Sequence, residues 1–190
     1  MKILLSVIGT IVGLLLISLI VMYSGMINVS AMDELSGFAK WVLSSTMNSS
    51  VESRSKDIKV PDLDKEFMIN EGAEHYIEMC QICHGAPGRE DTELAKGLEP
   101  KAPHLYEMED SDEFEPAEAF WIIKNGIMMT SMPAWGVTHS DEKIWDIVAF
   151  LKELPQMSPE KYDNLAGKVN SESMEEHERD EGAEDAHKEH

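Results

Sequence analysis

The chain has two cysteines, and both fall within Cys80-Gln81-Ile82-Cys83-His84. Two thiols about one helical turn apart can each add to a vinyl group of one porphyrin while the adjacent imidazole meets the iron, which is the C-x-x-C-H spacing of covalent haem attachment. Cys80 and Cys83 are therefore the candidate thioether donors and His84 the candidate proximal iron ligand. Two rival chemistries use related spacings. A zinc site needs two further Cys or His ligands, and there is no second C-x-x-C. A thioredoxin-like redox pair belongs in a βαβ context, whereas here the motif ends a helix in an all-α pattern.

An iron held by His84 either takes a sixth protein ligand or keeps an open position that binds gases or peroxide. The candidates are Met128, Met129 and Met132, with His75, His104 and His139. Methionine is usually a core filler. Met132 differs because Pro133 biases it toward extended backbone and removes an amide donor, which suits a loop laid across an open haem face. Met128 and Met129 sit close to the end of the preceding helix and read as packing residues. His75 lies on the helix leading into the motif and His139 adjoins the next helix start. His104, in a loop after Pro103, is the best histidine alternative.

The elements that must position these residues are helical. A helix is expected from Asp62 or Asp64, either of which can cap its free amides, through Phe67, Tyr76 and Met79 to the motif. Gly85, Pro87 and Gly88 end it. A loop follows to about Ser111, with one short helix near Thr92–Lys96. Pro116 suits the first turn of a helix through Phe120 and Ile123 to Asn125, with Gly126 closing it. Ser140, Asp141 and Glu142 signal the start of a last helix carrying Ile144, Ile147, Val148, Phe150 and Leu151 and ending at Pro155.

Outside this region the chain changes character. Ile3 to Tyr23 is an apolar run interrupted only by Ser, Thr and Gly. About 20 residues at 1.5 Å each match the roughly 30 Å hydrocarbon core of a bilayer. Residues 1–24 are read as a transmembrane anchor, the run being longer than the core of a cleaved secretory signal despite the small-x-small Val29-Ser30-Ala31. Lys2 before the span, with Asp33 and Glu34 after it, places the remainder outside the cytoplasm. Residues 25–63 are expected to be a juxtamembrane segment and tether. Met32–Met47 has helical spacing, with Trp41 suited either to the membrane interface or to packing on the domain. From Ser44 to about residue 63, serine dominates and too little surface can be buried to order the chain. Residues 64–157 form the expected haem domain and 158–190 a disordered tail, with nine acidic and three basic residues from Asn164 to His190. His177, His187 and His190 in that tail are too irregularly spaced for a metal site.

The formal charge of -20 excludes nucleic acid and anionic lipid as natural partners and leaves basic or neutral docking faces. Seven acidic residues and no basic one lie between Glu107 and Glu118, read as a solvated face.

Residues 64–155 resemble the class I c-type cytochromes, especially small single-haem bacterial domains. The resemblance rests on Gly72-Ala-Glu-His-Tyr76 before Cys80-Gln-Ile-Cys83-His84-Gly85, on Ala102-Pro103-His-Leu105, on Gly126-Ile-Met-Met-Thr-Ser-Met132-Pro-Ala-Trp135-Gly136 and on Ile147-Val-Ala-Phe150-Leu151. It implies an all-α cytochrome c-like domain of about three to five helices around one covalent haem c. It further implies Met132 as distal iron ligand and the Pro103 carbonyl as acceptor for the other His84 ring nitrogen, and a crossing of first and last helices at Gly72 and Tyr76 against Ile147 and Phe150.

With His84 and Met132 both bound, the iron has no vacant site, so outer-sphere transfer of single electrons is favoured over catalysis, and thioether ligation raises the potential relative to bis-histidine. The expected protein is an electron carrier anchored in a bacterial inner membrane, its haem domain on the periplasmic side, serving redox proteins or a respiratory membrane complex. A tether would keep the domain at high local concentration there. The alternatives are a peroxidase-like haem enzyme or a haem sensor, each needing an open sixth position.

Overall fold

A computed structural model describes residues 1–108, 114–169 and 171. The described residues are helical, with no β-strand among them. The chain divides after Glu34 into two units. The first contains α1, Lys2–Tyr23, a 22-residue apolar helix long enough to cross a bilayer, none of whose residues is buried. Thr10 and Ser18 return their hydroxyls to the carbonyls of Ser6 and Leu14, so these polar groups are satisfied within the helix.

The second unit begins with α2, Gly37–Ser55, capped by the Ser36 hydroxyl, which accepts from the Ala39 amide. This corrects the expectation of an unstructured Ser-rich tether over 44–63 as far as Ser55. Ser44 and Thr46 bond back to the carbonyls of Lys40 and Val42 and stay exposed, while Met47, Ser50, Val51 and Ser55 turn inward at helical spacing. Val51 and Ser55 are buried, and α2 packs on α6, Pro116–Asn125. Small serine side chains thus serve as a packing face rather than a linker. The N-terminal half of α2 leaves Phe38 and Trp41 exposed, their rings 6.1 Å apart.

The first helix of the haem-motif region is α3, Glu66–His75. Lys65 stands at its cap position and offers no side-chain bond; Asp64, expected as a cap, is instead ion-paired with Lys152. A π-helical turn, Tyr76–Cys80, joins α3 to α4, Gln81–His84. The short helix α5 is Glu93–Lys96, with the Thr92 hydroxyl accepting from the Ala95 amide. Pro116 occupies the first turn of α6, and Gly126 ends it at φ +65. α7, Asp141–Glu153, starts at a Ser140 cap and runs into a 3₁₀ turn, Leu154–Gln156, that contains Pro155.

The tail reading also needs correction at its near end. Residues 159–169 form a further helix, α8. Tyr162, Ala166 and Val169, spaced four and three apart, are buried in the core. Net acidity hid this stripe, because Asp163 and Glu160 lie on the outer face. Residues 172–190, with His177, His187 and His190, and residues 109–113 of the acidic run lie outside the described residues.

The core centres on the crossing of α3 and α7. Gly72 lies so close to the α7 backbone that a Cβ there would stand 1.9 Å from the Asp146 carbonyl oxygen. One turn on, Tyr76 packs on Phe150 with ring centroids 5.3 Å apart, and both are fully buried. Trp145 stacks on Phe120 of α6 at 4.1 Å. Gly72→Ala cannot be accommodated by rotating a side chain, so we expect it to destabilise the domain by about 3 kcal/mol, the upper end of overpacking costs. Gly167→Ala, on the exposed face of α8 with nothing within 4 Å, should instead be neutral or stabilising; its gain is bounded by the about 1 kcal/mol helix-propensity difference. Urea unfolding midpoints of both variants check the pair.

Candidate haem site

The α3–α7 crossing delivers the chain to the cysteine motif through the π turn, where the Gln81 amide donates to the Tyr76 carbonyl five residues back. Beyond the motif, Gly85 turns the chain at φ +73, a conformation costly for other residues, and the buried Tyr76 hydroxyl donates to its carbonyl at 2.8 Å. The Thr92 hydroxyl donates to the Ile82 carbonyl at 2.5 Å and ties α5 to the motif. From the sequence alone Tyr76 reads only as a packing residue and Thr92 only as a helix boundary.

Cys80 and Cys83 are both half-buried and form no disulfide with each other. Burial, with the Cys83 thiol adding to it, pushes the Cys80 thiol up to about 12. A redox-active C-x-x-C pair works through a depressed thiol pKa, so this environment argues against the thioredoxin-like alternative.

His84 Nδ1 lies 2.9 Å from the Pro103 carbonyl oxygen. A carbonyl can only accept, so Nδ1 carries the proton and Nε2 keeps its lone pair free for iron. Burial lowers the His84 pKa from its ordinary value, the bond to Pro103 opposing it and His104 reinforcing it; the ring is held neutral, the form that ligates metal. Paired thiols, a neutral imidazole with its ε nitrogen free and a turn locked on both sides are a donor set that fits covalent haem.

The loop after α6 is pinned tightly. A Cβ at Gly126 would stand 2.7–2.8 Å from the backbone of Met132, Pro133 and Ala134, so glycine is required there for close approach as well as for its φ. The Ile127 amide donates to the Met132 carbonyl at 3.2 Å, and the Met132 amide to the Thr130 hydroxyl at 3.1 Å. Met132 is half-buried and packs against the core. Met128 and Met129, expected to pack, are instead 90% and 92% exposed, with Met129 at φ +63. The tight turn between Ile127 and Thr130 throws both outward.

Two of the three histidine rivals have polar partners elsewhere. His104 stacks on Tyr106 at 5.3 Å, its Nε2 2.9 Å from Asp91 and its Nδ1 3.2 Å from Glu107. Both ring nitrogens thus have polar partners within the fold, one of which iron would have to displace. His139 Nδ1 lies 2.9 Å from the Thr138 hydroxyl, and its ring meets Trp135 and His75 edge-on, at 5.3 and 5.4 Å. His75 Nδ1 is buried without a partner.

An all-helical fold built around such a donor set defines a c-type cytochrome domain. The comparisons with known proteins agree and are more particular. Residues 67–151 match the family model described as cytochrome C oxidase, cbb3-type, subunit III. No curated protein matches the chain. The chain thus carries a c-type cytochrome domain that binds haem c, with its iron, covalently, and its role is haem-based electron transfer.

His75 is expected to make this domain lose stability in acid. Burial lowers its pKa below the ordinary 6.5, Lys143 and His139 add to the shift, and Glu78 and Glu71 oppose it. Below pH 6.5 the unfolded chain takes up a proton that the folded one refuses, so stability falls from that pH down to the depressed folded value and is unaffected above it. His75→Leu should flatten this part of the profile, measured as denaturant midpoints between pH 7.5 and 5.

Proposed function

We propose that this protein is a membrane-anchored single-electron carrier whose haem c iron is held by His84 and Met132, serving redox proteins or forming a subunit of a respiratory membrane complex. The observation that carries the reading is the pinned Gly126–Met132 loop. It presents one half-buried methionine, while Met128 and Met129 face solvent and His104 has both nitrogens engaged. Haem c supplies a one-electron iron couple. The chain's own contributions are to orient a neutral His84 through Pro103, to fill the sixth position with the Met132 thioether and so deny it to peroxide or gas, and to favour the reduced iron through that soft ligand. The family matched over residues 67–151 is named for a subunit of a terminal oxidase, which supports a respiratory membrane setting and a transfer role.

Helix α1 supports anchoring, and the charge asymmetry around it supports a haem domain on the periplasmic face of a bacterial inner membrane. The haem domain itself is read as the helical unit from Leu35 onward, with α2 folded onto it.

Absorption spectra of the oxidised and reduced protein test the ligation. Wild type should be six-coordinate and low-spin, and Met132→Ala should turn five-coordinate with a lower midpoint potential. His104→Ala should leave the spectrum unchanged. A five-coordinate wild type, or an unaltered Met132→Ala spectrum, overturns the His84/Met132 carrier and favours an enzyme or sensor with an open site. Anchoring is checked separately: the full chain should resist alkaline extraction of membranes, and a chain lacking residues 1–24, exported with a cleavable signal, should appear in the soluble periplasmic fraction with its haem attached.

A further inference from the structure

Helix α8 lies beyond residue 151, where the family match ends, yet its side chains reach the haem-attachment turn. The link begins with the π turn. Widening the helix diverts the Gln81 amide to Tyr76, so it no longer serves the Ile77 carbonyl, its partner in an uninterrupted α-helix. The Gln81 side chain supplies the replacement, its Nε2 donating to the Ile77 carbonyl. Gln81 Oε1, at the other end of the same amide, accepts from the Tyr162 hydroxyl at 3.1 Å and from Arg89 Nη1 at 3.2 Å.

Both donors are fixed in turn. Tyr162 is fully buried, and burial pushes its phenol pKa upward, so it remains a neutral donor. The Arg89 guanidinium lies 5.2 Å from the Tyr162 ring centroid and pairs with Asp163 at 2.7 Å. Pro159 closes the near end of the helix against Gly88, where a Cβ would meet its ring at 2.8 Å. Gln81 stands between the two haem-binding cysteines, so its amide joins the π turn that ends at Cys80 to a helix far away in sequence.

We infer that α8 positions the haem-attachment turn: Tyr162 and Arg89 orient the Gln81 amide, which completes the π turn and sets Cys80 relative to Cys83 and His84. Tyr162, Arg89 and Gln81 are positioning residues, since none needs to touch the iron. The inference rests on covalent haem attachment and not on the identity of the distal ligand, so it stands or falls apart from Met132.

The test uses the full-length holoprotein in three variants. Tyr162→Phe keeps the buried ring and removes the hydroxyl, Gln81→Leu removes both ends of the amide, and Val169→Ala weakens the packing of α8 without touching Gln81. Hydrogen exchange of the amides in residues 77–84 should speed up by about two- to tenfold in Tyr162→Phe, the equivalent of one net hydrogen bond, and further in Gln81→Leu. The midpoint potential should shift in both. The pyridine haemochrome band, which reports how many thioether bonds have formed, should show singly attached haem in Gln81→Leu. Val169→Ala should lower the melting temperature and leave band and potential at their wild-type values. If Tyr162→Phe matches wild type in exchange and potential, or if Val169→Ala shifts band and potential as much as Gln81→Leu does, α8 is core packing alone and the inference is wrong.

Discussion

The backbone contact between Gly72 and Asp146 is the constraint on which the rest of the haem domain depends. With no side chain at residue 72, α3 and α7 approach until a Cβ would overlap the Asp146 carbonyl. That closeness lets Tyr76 and Phe150, one turn further along each helix, bury their rings against each other. Tyr76 then extends its hydroxyl to the Gly85 carbonyl, just past the motif. A steric requirement for glycine in α3 is thereby transmitted over about three helical turns to the residues that hold haem. Prying the helices apart would cost more than local packing, because it would release the hydrogen bond that locks the turn behind His84.

Around that crossing, the His84 turn and the Met132 loop, the two sides of the proposed site, are built by different means. On the His84 side the work is polar: the Pro103 carbonyl selects the tautomer, and His104, between Asp91 and Glu107, stacks on Tyr106 against Gly85. On the Met132 side the work is steric, with a short loop folded on itself against Gly126. A hydrogen bond suits a ring that must be oriented and kept neutral. A pinned backbone suits a flexible thioether, whose own rotamers specify little.

Most of the domain was legible in the sequence because its signals are local. The α6 boundaries follow from Pro116 and Gly126, the α7 start from Ser140, and the α5 cap from Thr92. Two segments hide their helices in the sequence for one reason, that their composition masks their periodicity. Serines in α2 read as a linker although Met47, Val51 and Ser55 keep helical spacing, and acidic residues in α8 read as disorder although Tyr162, Ala166 and Val169 form a stripe. Met128, Met129 and Met132 could not be separated by type. Only the turn at Ile127–Thr130 decides which of them faces inward.

By itself, the sequence determined the covalent chemistry, the helical class and the apolar length of α1, because two thiols and an imidazole at fixed spacing, a 3.6-residue periodicity and a run of about 20 apolar residues are each properties of short stretches of chain. Tertiary structure alone decided which histidine has polar partners on both ring nitrogens, which methionine is sheltered, and that Gln81, unremarkable as a variable residue between two cysteines, meets Tyr162 from the far end of the domain. Those outcomes depend on groups 80 or so residues apart in sequence arriving within hydrogen-bonding distance, and no local pattern encodes such a meeting.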